Sequence, residues 1–160
     1  MSTQRFIVSF ACCLAFFVAC SDNSPTDNVL GEAVPINWVG SETVYSDIEG
    51  KKAYSMIFFY TDWCGYCKRM DDITFADPTV SNIINDSFNA VRINAELDSL
   101  VVHFDSTVTC EQMADIYGIG GYPTTCFFDS TGNFLGKILG YSNPTDFTYG
   151  LGIVLSGDYK

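Results

Sequence analysis

The segment Tyr60-Thr61-Asp62-Trp63-Cys64-Gly65-Tyr66-Cys67-Lys68 joins two stretches of opposite character. Before it, Tyr54 to Tyr60 (YSMIFFY) is the short aromatic and aliphatic run expected of a strand buried on both faces. After it, Cys64 to Phe75 has helical composition and breaks near Pro78. The cysteine pair therefore falls at a strand-to-helix junction. Two cysteines with two residues between them at a helix start share one turn and are close enough for a disulfide. The free N–H groups and positive dipole end of the helix stabilise a thiolate. Cys64, partly exposed at that terminus, is expected to titrate below the free value of about 8.5. Cys67, a turn further in, is expected to be the more buried. Such a pair exchanges disulfides: Cys64 attacks, a mixed disulfide forms, and Cys67 resolves it.

The same residues bear on other uses of the pair. A structural staple across one turn stays open. A zinc site needs two such pairs or well-spaced histidines, and the chain has one C-x-x-C and a single histidine, His103. No metal is expected. A c-type haem needs His after the second cysteine, where Lys68 stands.

Outward from the pair, the chain orders itself as β-α-β-α-β-α-β-β-α. Ile36 to Val39 reads as a short strand, and Ser41 as the N-cap of a helix ending at Gly50. Val80, Ile83 and Ile84 suggest a turn or two of helix, and Phe88 to Asn94 a second core strand. Leu100 to Val108 suggests a small hairpin around Asp105-Ser106. Thr109 with Gln112 forms a capping box for a helix running to Tyr117. Strands follow at Thr124 to Phe128 and Phe134 to Leu139, with a turn at Ser130-Thr131-Gly132 between them. A last helix starts at Pro144. This order predicts an α/β fold with a mixed central sheet and helices on both faces.

With 160 residues, 48% of them hydrophobic, the chain suits one domain with appendages and has no room for a second core. A net charge of −11 disfavours nucleic acid and anionic membrane surfaces as partners. Arg5 and the apolar run Phe6 to Ala19 describe a secretory signal over residues 1–19. Phe17-Val18-Ala19-Cys20 resembles a bacterial lipobox, which implies a lipid on Cys20 and a bacterial envelope location, held to the membrane by that lipid alone. Residues 20–35 read as a flexible tether with a reach of roughly 20 Å, and residues 36–156 as the folded domain. Four cysteines then fall in the fold, in an oxidising compartment. Cys126, between strand aromatics, reads as a buried inert thiol, with a bridge to Cys110 as the alternative. His103 reads as an ordinary surface residue.

The cysteine segment resembles the active-site segment of the thioredoxin superfamily. Ile73-Thr74-Phe75-Ala76-Asp77-Pro78-Thr79-Val80 is similar to the C-terminal thioredoxin-like domain of the transmembrane thiol–disulfide interchange proteins (the DsbD type). Gly121-Tyr122-Pro123-Thr124 falls where that family has its cis-proline loop. The resemblance spans residues 36 to 156 and implies a thioredoxin fold. It implies a nucleophile at Cys64, a resolving thiol at Cys67, and a substrate-facing surface of Trp63, Gly65, Tyr66, Tyr122 and Pro123. Thioredoxins carry a buried Asp six residues before the first cysteine, and here that position is Phe58. Asp71, one helical turn after Cys67, matches an acidic position of the interchange domain and is the candidate for proton transfer. Asp62 is a weaker one. The implied partners are exported proteins with disulfides and a redox donor or acceptor of unspecified identity. No cofactor beyond the Cys64–Cys67 disulfide is expected, and a monomer suffices. Oxidase or isomerase activity, or a non-catalytic binding lipoprotein, are the competing functions.

Overall fold

Residues 54–60 alternate side chains between two apolar layers, so every one of Met56 to Phe59 is buried in the computed structural model. The structure describes residues 34–47 and 49–159. The signal segment, Cys20 and the tether as far as residue 33 lie outside the described residues. The sheet contains β1 (Trp38–Val39), β2 (Tyr54–Tyr60), β3 (Phe88–Asn94), β6 (Thr124–Asp129) and β7 (Phe134–Leu139). Their spatial order is β1-β3-β2-β6-β7. The first three run parallel, while β6 is antiparallel to β2 and β7 antiparallel to β6. The pairing slips by one residue between Phe127 and Phe128. β4 (Leu100–His103) and β5 (Ser106–Thr109) form a separate hairpin.

Helices cover both faces. Met56, Phe58, Phe88 and Phe127 pack against α2 (Gly65–Arg69), the π-helical turn Met70–Thr74, α3 (Pro78–Ser87) and α5 (Pro144–Ser156). Ile57, Phe59, Val91, Cys126 and Phe128 pack against α1 (Glu42–Tyr45) and α4 (Cys110–Ile116). The mixed α/β architecture is the one expected.

Several local signals act as anticipated and others do not. Thr109 and Gln112 form both halves of the capping box. Pro144 opens α5 behind an Asn143 cap. α3 is longer than expected, at ten residues, because Asp77 caps it through Thr79 N and Val80 N while Pro78 occupies its first turn. α1 stops at Tyr45, short of Gly50, and Ser41 does not cap it. The Ser41 hydroxyl instead accepts from Val102 N at 2.8 Å and ties the β4–β5 hairpin down. The hairpin turns one residue earlier than expected, at Phe104-Asp105, with Phe104 at φ 53. His103 is not an ordinary surface residue. Its Nε2 lies 3.1 Å from Tyr117 Oη, which lies 2.8 Å from Tyr45 Oη, and partial burial lowers its pKa. Burial likewise drives the Tyr45 phenol far upward.

Phe58 has no exposed surface and meets Phe75 edge-on at 4.9 Å and Trp38 at 6.3 Å. Phe58→Ala is expected to lower the unfolding free energy by about 3–5 kcal/mol, measured by urea denaturation of the oxidised protein.

Candidate active site

β2 ends at Tyr60, and a tight turn succeeds it in which Cys64 N donates to Thr61 O at 3.2 Å. Cys64 is thereby set as the N-cap of α2, with extended φ/ψ of −73 and 101. Its Sγ accepts from Cys67 N at 3.0 Å, and its carbonyl accepts from Cys67 N and Lys68 N. One of the free donors of the helix start, Cys67 N, thus goes to this residue. Cys64 and Cys67 are joined by a disulfide, with an S–S distance of 2.07 Å and Cα atoms 5.2 Å apart. Cys64 is not partly exposed, as its place at the terminus implied: only 4% of it is accessible, against 2% of Cys67. Exposure has passed to the flanking rings, with Trp63 69% and Tyr66 61% accessible.

Those rings are held from other parts of the chain. Trp63 Nε1 donates to Glu96 Oε1 at 2.8 Å and Oε2 at 2.9 Å, and the indole meets Tyr122 edge-on at 6.1 Å. Tyr66 lies 6.3 Å from Tyr141, whose other neighbour is the Arg69 guanidinium 4.4 Å from the ring centre. The Tyr122–Pro123 peptide bond is cis. Beside it lies a groove of about 420 Å³, lined by Gly118, Gly120, Gly121, Tyr122, Thr124, Lys137, Leu139 and Gly140. Partial burial, then the carboxylates of Glu96, Asp115 and Glu111, raise the Tyr122 pKa. The structure therefore gathers Trp63, Cys64, Cys67 and Tyr122 at one place. Tyr66 joins them as an outward-facing ring, and a Cβ added at Gly65 would meet open space.

Asp71 is held by Arg92. Its two carboxylate oxygens accept from Arg92 Nη1 at 3.0 Å and Nη2 at 2.6 Å, a bidentate pair about a third exposed. Arg92 is paired in register with Phe58 and lies over Tyr60 at 4.4 Å and over Phe58 and Trp38 at 5.6 Å. Phe58 fills the position six residues before Cys64 with a fully buried ring, and the Arg92 guanidinium lies over it. Glu96, Arg92 and Tyr141 carry no motif of their own, since each acts through a contact distant in sequence. Thr61 Oγ1 is the one buried side-chain N or O atom among the described residues without a hydrogen-bond partner. Such a group costs about 1–3 kcal/mol.

Cys110 and Cys126 are free and buried. Cys110 Sγ lies 3.3 Å from Ser99 Oγ. The bridge between them is not formed, and Cys126 is the buried thiol that its aromatic neighbours suggested.

A bridged cysteine pair at a helix start, with a cis Tyr-Pro loop and a five-stranded mixed sheet, is the arrangement of a thioredoxin-type protein. The chain belongs to the family of thioredoxin-like domains, whose model matches residues 42–151. Over 113 residues it is 27% identical to the thiol:disulfide interchange protein DsbD of Photorhabdus laumondii, covering 69% of this chain. The DsbD of Colwellia psychrerythraea is 30% identical over 121 residues, covering 73% of this chain. The match spans 18% of the length of each of these two relatives. A thioredoxin-fold protein from Helicobacter pylori superposes with a TM-score of 0.63 at 25% identity, covering 76% of this chain and 83% of its own. A thioredoxin from Thermus thermophilus, at 19% identity and a TM-score of 0.62, covers 76% and 88% and attests the fold alone.

Burial pushes the Cys126 thiol up to about 12 from an ordinary value of 9.0. The folded state then keeps a proton that the unfolded state loses, so stability falls as pH rises from about 9 towards 12. Cys126→Val should flatten that part of a denaturation-versus-pH curve, and native Cys126 should resist iodoacetamide at pH 8.

Proposed function

We propose that this protein exchanges disulfides with exported polypeptides through Cys64 and Cys67, working chiefly as a reductase. The observation that carries this reading is the bridged pair at the start of α2, where Cys64 Sγ accepts a backbone N–H and two accessible aromatic rings flank it. In the reduced state, the Cys64 thiolate attacks a substrate disulfide. A mixed disulfide forms and one substrate sulfur leaves as a thiolate. Cys67, as thiolate, then attacks Cys64 Sγ, re-forming the internal bridge and releasing the second substrate sulfur. The substrate gains two electrons, and its sulfurs take up two protons. A dithiol donor reverses the sequence on the protein and restores the Cys64 and Cys67 thiols.

Trp63, Gly65, Tyr66, Tyr122 and Pro123 form the surface on which the substrate chain rests. Glu96 and Tyr122 support the Trp63 ring from one side, and Tyr141 supports Tyr66 from the other. In this reading Asp71 is the proton carrier for the Cys67 step, with its carboxylate oriented by Arg92. The protein acts as a monomer at the bacterial envelope, tethered by a lipid on Cys20. The names of the interchange proteins it resembles support the chemistry.

The test joins a potential to a trap. A Cys64–Cys67 reduction potential between about −120 and −270 mV is expected, with Cys67→Ser accumulating mixed disulfides with envelope proteins. A potential below about −300 mV together with an empty trap would mean a structural staple. Asp71→Asn is expected to depress the exchange rate chiefly where Cys67 must lose its proton. A rate–pH profile superimposable on wild type would remove Asp71 from the reaction.

A further inference from the structure

The β4–β5 hairpin is joined to the body of the fold by few hydrogen bonds. Among the described residues, two connect residues 100–108 to other elements. Val102 N donates to Ser41 Oγ at 2.8 Å, and His103 Nε2 lies 3.1 Å from Tyr117 Oη. Tyr117, the C-cap of α4, lies 2.8 Å from the hydroxyl of Tyr45 at the end of α1. A line of three polar groups, His103 to Tyr117 to Tyr45, thus ties the hairpin to both helices of that face. The hairpin turn is itself strained, because Phe104 takes a φ of 53, a left-handed conformation disfavoured for a residue with a Cβ. Its ring is held against Tyr45 at 4.7 Å and His103 at 4.9 Å.

Two links in that line need two protons, and the two phenols supply them. Tyr45 donates to Tyr117 Oη, and Tyr117 donates to Nε2 of a neutral His103 that carries its hydrogen on Nδ1. Every hydroxyl proton is then used. A protonated imidazole carries a hydrogen on Nε2 as well and has to donate to Tyr117 Oη. Three protons then compete for two links, and one phenol is left without an acceptor. Burial pushes both phenols above their ordinary range, so both keep their protons through neutral and acid pH in poorly hydrated surroundings. A hydroxyl deprived of its partner there is destabilising. We infer that His103, Tyr117 and Tyr45 form an acid-sensitive latch, closed on the hairpin when the imidazole is neutral and weakened when it is protonated.

The charged and titratable groups of the neighbouring elements are engaged elsewhere. After α1, Lys51 Nζ is bound to the carbonyls of Val44 and Ser46, and Asp47 is exposed. On α4, Asp115 is exposed and its charge is felt at Tyr122. At the end of β6, Asp129 is bound by Thr131 and Asn133, and within β6 Cys126 is pushed up to about 12. On β7, Lys137 Nζ is bound to the carbonyls of Tyr117 and Gly118. On the hairpin, Asp105 is exposed. Partial burial lowers the His103 pKa below its ordinary 6.5. A released hairpin therefore takes up the proton before a docked one does. Docking is fully favoured above pH 6.5 and weakens as pH falls through the docked value.

The latch is independent of the chemistry at Cys64 and Cys67 and is tested on the oxidised full-length protein. The probe is the Val102 amide, whose bond to Ser41 Oγ breaks when the hairpin lifts. Its hydrogen-exchange protection, corrected for the intrinsic rate at each pH, is expected to fall between about pH 7.5 and about pH 5, where histidine titrates. The fall reaches about tenfold for each pH unit by which the docked titration lies below the released one. The Phe58 amide of β2 should keep its protection over the same range. His103→Gln retains an acceptor for Tyr117 and cannot ionise, so it should abolish the fall at Val102. Tyr117→Phe removes both links, so the His103 titration followed by NMR should rise towards 6.5. Val102 protection that is constant with pH, or that falls as steeply in H103Q as in wild type, would overturn the latch. So would an equal fall at Val102 and Phe58, the mark of whole-fold destabilisation, or a His103 titration indifferent to Y117F. Should Y117F not fold, the H103Q comparison decides alone.

Discussion

β2 has no free edge. β3 takes its hydrogen bonds on one side in unbroken parallel register from Tyr54 to Tyr60, and β6 takes them on the other. Both of its faces are buried as well. A strand confined in four directions cannot shift by a residue without moving its whole apolar set to the wrong layer. The Thr61–Cys64 turn is attached to its last residue and inherits that rigidity. The disulfide therefore stands on the stiffest element of the fold, while the aromatic rings around it rest on more distant loops.

That arrangement divides the site into a fixed part and adjustable parts. The cysteines are placed by local contacts: a turn hydrogen bond, the Cys64 N-cap and the first turn of α2. Trp63 is placed by a side-chain carboxylate from the segment after β3, and Tyr66 by a ring from the segment after β7. The bridge and the rings that flank it are thereby held by independent parts of the chain. The charge near Tyr122, from Glu96, Glu111 and Asp115, lies on the side of the rings and not of the bridge.

The sequence disclosed what local rules govern. The run YSMIFFY carried the signature of a doubly buried strand, and Thr109 with Gln112 that of a capping box. The pair Cys64/Cys67 stood out because its spacing and position carry chemistry in themselves. Contacts between remote segments were not legible. Nothing in Ala95-Glu96-Leu97 announces that a carboxylate will hold an indole thirty-three residues away. Nothing in Arg92 announces that it will claim Asp71 while covering Phe58. Ser41 had the right chemistry for a cap and was used by a hairpin instead, because a tertiary donor, Val102 N, competed for its oxygen. Asp77-Pro78 was a readable start signal that the helix-breaking reputation of proline obscured.

The slipped register between Phe127 and Phe128 bears on a different matter, how such a sheet avoids growing. β7 is the sheet's outer strand on that side, and a flat outer strand is a template for a neighbouring chain. It carries Phe134 nearly half exposed and Leu139 two-thirds exposed, a sequence that would favour stacking if it lay straight. The slip adds local twist to the pair, and Lys137 sits midway along β7, its ammonium bound to the carbonyls of Tyr117 and Gly118. Curvature and a pinned cation on the rim are devices that disfavour pairing of an apolar outer strand with a neighbouring chain.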